Sequence, residues 1–206
     1  MEQVILVNEH DEETGTMEKM EAHEKALLHR AISVFIFNSK GEMLLQQRAA
    51  KKYHSAGLWT NACCSHPRPG EPVLAAAERR LKEELGFKTQ LKKVFEFTYK
   101  APFDNGLTEY EFDHVFAGTY DSEIVPNPDE VQDYRYQSMN DIETSLQKYP
   151  EQYSAWFIIA FPQIMNWVKQ QALGRWSFAA NVQLLQTGYE NAFTCSSDWE
   201  WCSGIG

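Results

Sequence analysis

Trp59-Thr60-Asn61-Ala62-Cys63-Cys64-Ser65-His66-Pro67, followed by Arg79-Arg80-Leu81-Lys82-Glu83-Glu84-Leu85-Gly86, is the most informative part of this chain. The first stretch sets a thiol two positions before an imidazole, pairing a candidate proton-transfer group with a candidate metal ligand. The second ends a predicted helix over Pro72–Leu85, with proline in the first turn and Gly86 past the end. Leu74, Ala77, Leu81 and Leu85 form its apolar face, leaving Arg80, Glu83 and Glu84 on the remaining surface. Alternation along an extended Cys63-Cys64 segment sends the two thiols to opposite sides, so only one can face a site.

Outward from this stretch the periodicity is mostly that of strands. Val4–Val7 is a short apolar strand, and polar Asn8–Gly15 reads as a loop. Ile32–Phe37 and Met43–Arg48 flank the turn cluster Asn38-Ser39-Lys40-Gly41 and are expected to form a hairpin. Leu91–Tyr99, Glu109–Gly118 and Val131–Tyr136 read as further strands, Ser138 caps a short helix, and Tyr153–Ala172 is an amphipathic helix. Strands interleaved with helices in this order give an α+β sandwich. The expected organisation is a domain over residues 1–172 and a tail over 173–206. That tail is rich in Ser, Asn, Gly and Gln and carries Trp176, Trp199, Trp201, Cys195 and Cys202, and it is assigned no chemistry.

Composition narrows the function class. A chain of 206 residues with 43% hydrophobic content supports one domain with a sizeable core. The net charge of −10 offers no basic face for nucleic acid. No apolar run reaches membrane-spanning length, and Met1-Glu2-Gln3 lacks a basic signal-peptide start. Adjacent Cys63 and Cys64 are poorly placed to bridge one another, and Cys195 and Cys202 are far away in sequence. The expectation is a reduced, cytoplasmic chain with a small-molecule partner, no nucleic acid and no membrane. A monomer is the simplest state, with a dimer left open.

The motifs resemble the type I isopentenyl-diphosphate isomerase branch of the Nudix superfamily, over roughly residues 3–170. The Nudix box reads Gly-x5-Glu-x7-Arg-Glu-apolar-x-Glu-Glu-x-Gly-apolar. Its second element falls on Glu71, its arginine on Arg79, its acidic pair on Glu83 and Glu84, and its end on Gly86-Phe87. Two positions depart: Ser65 stands for the opening glycine, and Arg80 for the glutamate after the arginine. In Nudix hydrolases that glutamate helps bind the magnesium ions of water attack. Arginine cannot coordinate a cation, but its fork can hold a diphosphate. The resemblance therefore implies a Nudix-type sandwich, a mixed β-sheet flanked by helices, whose box keeps a diphosphate and has lost hydrolysis.

Carried over position by position, the resemblance implies a five-ligand site for Mn²⁺, Zn²⁺ or Mg²⁺ from His23, His29, His66, Glu109 and Glu111. Strand alternation independently puts Glu109 and Glu111 on one face. His10, His54 and His114 match no ligand position and are expected to be solvated. Glu84 is either the partner of Arg80 four residues earlier or a ligand of a Mg²⁺ ion bridging to the substrate's diphosphate; the box favours the second. Arg48, Lys51 and Lys52 form a cationic cluster, and the resemblance implies that Lys19, Arg48, Lys52 and Arg80 grip the diphosphate. It aligns the catalytic thiol with Cys64, leaving Cys63 to the core, and puts Tyr99 and Trp156 over the reacting carbons.

The implied reaction interconverts isopentenyl and dimethylallyl diphosphate for isoprenoid synthesis. Moving an unactivated double bond needs a proton added at one end and removed from the other, through a carbocation-like state. Glu111, with Tyr99 beside it, and Cys64 are the candidate proton-transfer groups. Trp156 can stabilise positive charge by about 2 kcal/mol in a dry site. The rival expectation is a Nudix hydrolase of another diphosphate compound.

Overall fold

The computed structural model describes residues 2–52, 54–103 and 105–171. Among these residues nine strands are present: β1 Gln3–Val7, β2 Glu13–Glu18, β3 His29–Phe37, β4 Met43–Arg48, β5 Trp59–Thr60, β6 Cys63–Ser65, β7 Leu91–Pro102, β8 Thr108–Thr119 and β9 Val131–Gln137. The helices are α1 Lys19–Glu24, α2 Val73–Leu85, α3 Met139–Lys148 and α4 over 155–171, with a 3-10 turn at Pro150–Gln152. The chain divides into two units at Pro162/Gln163, a point inside α4. Everything below concerns the first unit; the expected tail over 173–206 and Ala172 lie outside the described residues.

β3 organises the sheet. It is apolar along almost its whole length because both of its faces are covered. Ile32, Val34 and Ile36 pack with Ala76, Ala77, Leu81 and Leu85 of α2. On the opposite face Phe35 stacks on Phe157 of α4, with ring centroids 6.3 Å apart. β8 runs parallel to β3 from His29↔Glu111 to Phe37↔Thr119, and β6 runs antiparallel to it with Ser33↔Cys64 in register. The sheet is therefore mixed and flanked by helices, the α+β arrangement expected.

Several elements differ from expectation. The β3–β4 hairpin exists only at its turn, where Phe37 pairs with Met43. Beyond it β4 leaves for β5 and β9, because β8 and β6 take the edges of β3. The Asn8–Gly15 loop is cut short by β2, a polar strand whose half-exposed ETGTME run carries no apolar alternation. In α2, Leu74 is 40% exposed, and the buried stripe turns instead toward Ala76 and Glu84. Glu84 is thereby not on the surface but 3% exposed, drawn in by buried donors.

Gly86 closes α2 in the left-handed region at φ +80°, and a Cβ there would lie 2.3 Å from the Val125 carbonyl oxygen. Only glycine fits both the backbone and the space. Phe87 then turns inward and stacks on Tyr120, centroids 3.8 Å apart.

Candidate active site

The Cys63-Cys64 step behaves as alternation predicts. Cys63 is fully buried toward α2, where its thiol donates to Glu84 Oε1 at 3.3 Å. Cys64 lies on the other side and lines a cavity of about 480 Å³ together with His66, Tyr99, Glu109, Glu111 and Trp156. The strands flanking β3 thus bring Cys64 (β6) and Glu111 (β8) to one cavity.

Glu109 and Glu111, two apart on β8, share a face as expected, and the Tyr99 hydroxyl on β7 meets both. It lies 3.0 Å from Glu109 Oε2 and 2.7 Å from Glu111 Oε2. Burial would raise Glu111, but the His29 and His66 imidazoles hold its carboxyl well below the usual range. Burial and the Glu111 charge push Glu109 the other way, well above it. Tyr99 is raised by burial and by both carboxylates.

His23, His29, His66 and Glu111 present one ligand atom each within 4.8 Å of one another, and His23, His54 and Glu109 form a second such group. His66 Nε2 lies 2.9 Å from Glu111 Oε1. Backbone carbonyls settle two tautomers. His23 Nδ1 is 2.6 Å from Lys19 O and His29 Nδ1 is 2.8 Å from Leu27 O; a carbonyl only accepts, so both Nδ1 atoms carry protons. In the neutral rings Nε2 is then a lone pair turned inward. His29 Nε2 is buried without a hydrogen bond, 3.5 Å from Glu111 Oε1. Burial, and then the neighbouring His66, lower His23 to about 4, so it is neutral near pH 7. Inward lone pairs beside a carboxylate are the donor set a divalent cation requires, with the outer hydrogen bonds fixing ring orientation. The residues fit a metal.

Two of the three histidines expected to be solvated are buried. His54 is 7% exposed, stacks on Phe103 with centroids 4.6 Å apart, and sets Nε2 3.3 Å from Glu109 Oε1. Burial, then Arg48 and His23, lower it to about 3. His114 is 3% exposed, with Nε2 3.0 Å from Asp11 Oδ2, on the face of β8 away from Glu111 and Asp113. A single histidine in polar sequence carries no sign of the partner that buries it. His10 is exposed, as expected.

The cationic residues also line the cavity. Arg48 is 8% exposed, its guanidinium 4.9 Å from the Trp156 ring centroid. Lys19 pairs with Glu2, and Lys52 with Glu130. Arg80 lies 2.8 Å from both Glu83 and Glu84 and 3.4 Å from Glu130. Lys51 points to solvent near Asp129. The box pair Arg79–Glu71 is a two-pronged fork, at 2.7 and 2.8 Å. Glu84 accepts from Arg80, Gln46 and Cys63 and does not line the cavity. These partners hold Glu84 beside Arg80, one of the two roles expected of it.

A NUDIX domain model matches residues 27–157. The isopentenyl-diphosphate Delta-isomerase of Pectobacterium atrosepticum is 53% identical over 80% of this chain and 92% of its own length. Isopentenyl-diphosphate Delta-isomerase 2 of Aromatoleum aromaticum is 49% identical over 80% of this chain and 87% of its own. The chain belongs to the isopentenyl-diphosphate Delta-isomerase family of NUDIX proteins. A crystal structure from Deinococcus radiodurans superposes with a TM-score of 0.67 at 19% identity, covering 79% of this chain and 98% of the other. The MutT protein of Methanosarcina mazei gives 0.57 at 19% identity, covering 70% and 95%. These two establish the fold alone. Among the described residues, no helix is long and apolar enough to cross a membrane.

Sequence reasoning missed three polar residues around the thiol of this isomerase-family chain. Asn61 Oδ1 lies 3.0 Å from Cys64 Sγ, Ser33 Oγ lies 3.5 Å from it, and Ser33 donates to buried Asp113 at 2.7 Å. Burial and the Glu111 charge raise Asp113 to about 8. Burial and then Asp113 push the Cys64 thiol up, so it rests protonated. Asn61 sits inside the most informative stretch, but no spacing rule marks it.

Proposed function

We propose that the protein interconverts isopentenyl diphosphate and dimethylallyl diphosphate by adding a proton at one carbon and removing one from another. The observation that carries this reading is the meeting of Cys64 with Glu111 and Tyr99 in one cavity walled by Trp156. Hydrolysis has no use for that thiol, and Arg80 stands where hydrolases place a metal-binding glutamate.

In this reading the Cys64 thiol and the Glu111 carboxyl are the two proton-transfer groups, and the Tyr99 hydroxyl orients Glu111 through its 2.7 Å contact. Trp156 offers its ring to the developing cation, a contact worth about 2 kcal/mol when desolvated. Burial of these groups keeps out water that would capture the cation. Lys19, Arg48, Lys52 and Arg80 bind the diphosphate, whose remote binding energy positions the alkene. Three of these exchange a carboxylate partner for the anion. His23, His29, His66, Glu109 and Glu111 would hold a divalent metal, Mn²⁺, Zn²⁺ or Mg²⁺, supplying fixed positive charge beside Glu111. When Arg80 makes that exchange it releases Glu84, which would then hold the Mg²⁺ ion that accompanies the diphosphate.

The test is incubation of purified protein with isopentenyl diphosphate and Mg²⁺, following allylic product and free phosphate together. Allylic product without phosphate is expected. Phosphate release would establish the hydrolase reading instead.

A further inference from the structure

Asn61 is 0% exposed, and its side chain has every hydrogen-bonding position filled. Nδ2 donates to Val34 O at 3.1 Å and to Cys63 O at 2.9 Å. Carbonyl oxygens only accept, so these contacts fix which end of the amide is nitrogen. Oδ1 therefore faces the other way, accepting the Thr60 hydroxyl at 2.9 Å and the Cys64 thiol at 3.0 Å. Behind Thr60, Ser154 Oγ donates to Thr60 Oγ1 at 2.9 Å, and Ser154 N donates to Trp59 O at 3.0 Å. A hydroxyl has one proton to give, so the string runs one way, from Ser154 through Thr60 to Asn61. Ser154 immediately precedes the helix that carries Trp156, and its own carbonyl accepts from Ile158 N at 3.1 Å.

We propose that Asn61 is a positioning residue for Cys64: its amide oxygen holds the S–H and fixes the rotamer that turns Sγ toward the cavity. The Ser154–Thr60 string ties that orientation to the start of the Trp156 helix. What the thiol does there rests on the reading under Proposed function; the contact itself does not. A cysteine without this acceptor has other staggered wells open to it. Moving a reacting atom by about 1 Å costs on the order of a hundredfold in rate. A purely structural Asn61 would only staple the Asn61–Cys63 turn to β3 through its Nδ2 contacts, and would leave the thiol's own signature untouched.

The test is the infrared S–H stretch of the metal-loaded full-length protein, assigned to Cys64 by difference against Cys64→Ser. The wild-type band should sit at the position of a hydrogen-bonded thiol. Asn61→Ala should move it toward the non-bonded position, the weaker acceptor left in reach being Ser33 Oγ at 3.5 Å, and lower kcat about 10- to 100-fold, the range set by thiol misplacement, with KM within about twofold. Thr60→Ser should preserve the band, and Thr60→Val should broaden it. If Asn61→Ala does not fold, the wild-type band and the Thr60 pair decide. A wild-type band at the non-bonded position overturns the proposal, as does an unshifted band or full kcat in folded Asn61→Ala. Failure of the functional reading looks different: the wild type would make no allylic product while the bonded S–H band persisted.

Discussion

The α2 charge ladder and the histidine pocket hold similar residue types and solve opposite problems. Along the ladder three carboxylates share two guanidiniums: Glu71 meets Arg79, Glu83 meets Arg79 and Arg80, and Glu84 meets Arg80. In the pocket, His23 and His29 give their ring protons to backbone carbonyls outside, and acceptor atoms converge within. The ladder is complete as protein. The pocket offers a divalent cation the acceptors that the ladder keeps for its own arginines.

The largest contrast should appear on breaking the pocket. His23→Ala, His29→Ala or His66→Ala should each weaken tight metal binding by about a hundredfold or more, while Glu71→Gln and His114→Ala leave it intact. Elemental analysis of purified variants decides, and full metal in all three pocket variants would remove the site. The two thiols should differ nearly as much. Cys64→Ala should lower kcat about 10²- to 10⁴-fold, and Cys63→Ala should keep most activity while losing about 1 kcal/mol of stability. Equal loss in two folded variants would mean the register was misassigned.

Arg80 belongs to the ladder and, in our reading, also to the substrate. Arg80→Gln should raise the KM for isopentenyl diphosphate about 10- to 100-fold, the equivalent of about 1.5–3 kcal/mol for a charged hydrogen bond. An unchanged KM would confine Arg80 to holding Glu84. The smallest effects are on stability against pH. His23 and His54 are neutral in the fold, lowered to about 4 and about 3, and ordinary in the unfolded chain near pH 6.5. The unfolded state takes up protons first, so their contribution is full above about pH 6.5 and fades as pH falls toward 4. Chelator-treated protein should melt progressively lower across that window, and His54→Phe should flatten the slope. Glu71→Gln should cost only about 1 kcal/mol, and that difference should itself vanish in acid, because Arg79 holds the Glu71 carboxyl low.

What was readable in the chain followed from local pattern. The period-two alternation placed Glu109 with Glu111 and separated Cys63 from Cys64, and Gly86 announced the end of α2. What was not readable depended on partners remote in sequence. Glu84 is buried because Gln46 and Cys63 reach it, and His54 because Phe103 and Glu109 do. β2 was hidden because an edge strand with little buried surface needs no apolar alternation. Leu74 was placed inward by spacing alone, when the buried stripe is turned by a carboxylate drawn into the core.

The central claim is proton transfer through Cys64 and Glu111 within a pocket that does not cleave phosphate. Isopentenyl diphosphate incubated with the metal-loaded protein in D₂O, followed by proton and phosphorus magnetic resonance, tests it most directly. We predict deuterium in the allylic product and an unbroken diphosphate, with deuterium incorporation lost in Cys64→Ala and Glu111→Gln. Release of inorganic phosphate, or undiminished deuterium incorporation by both variants, would contradict it.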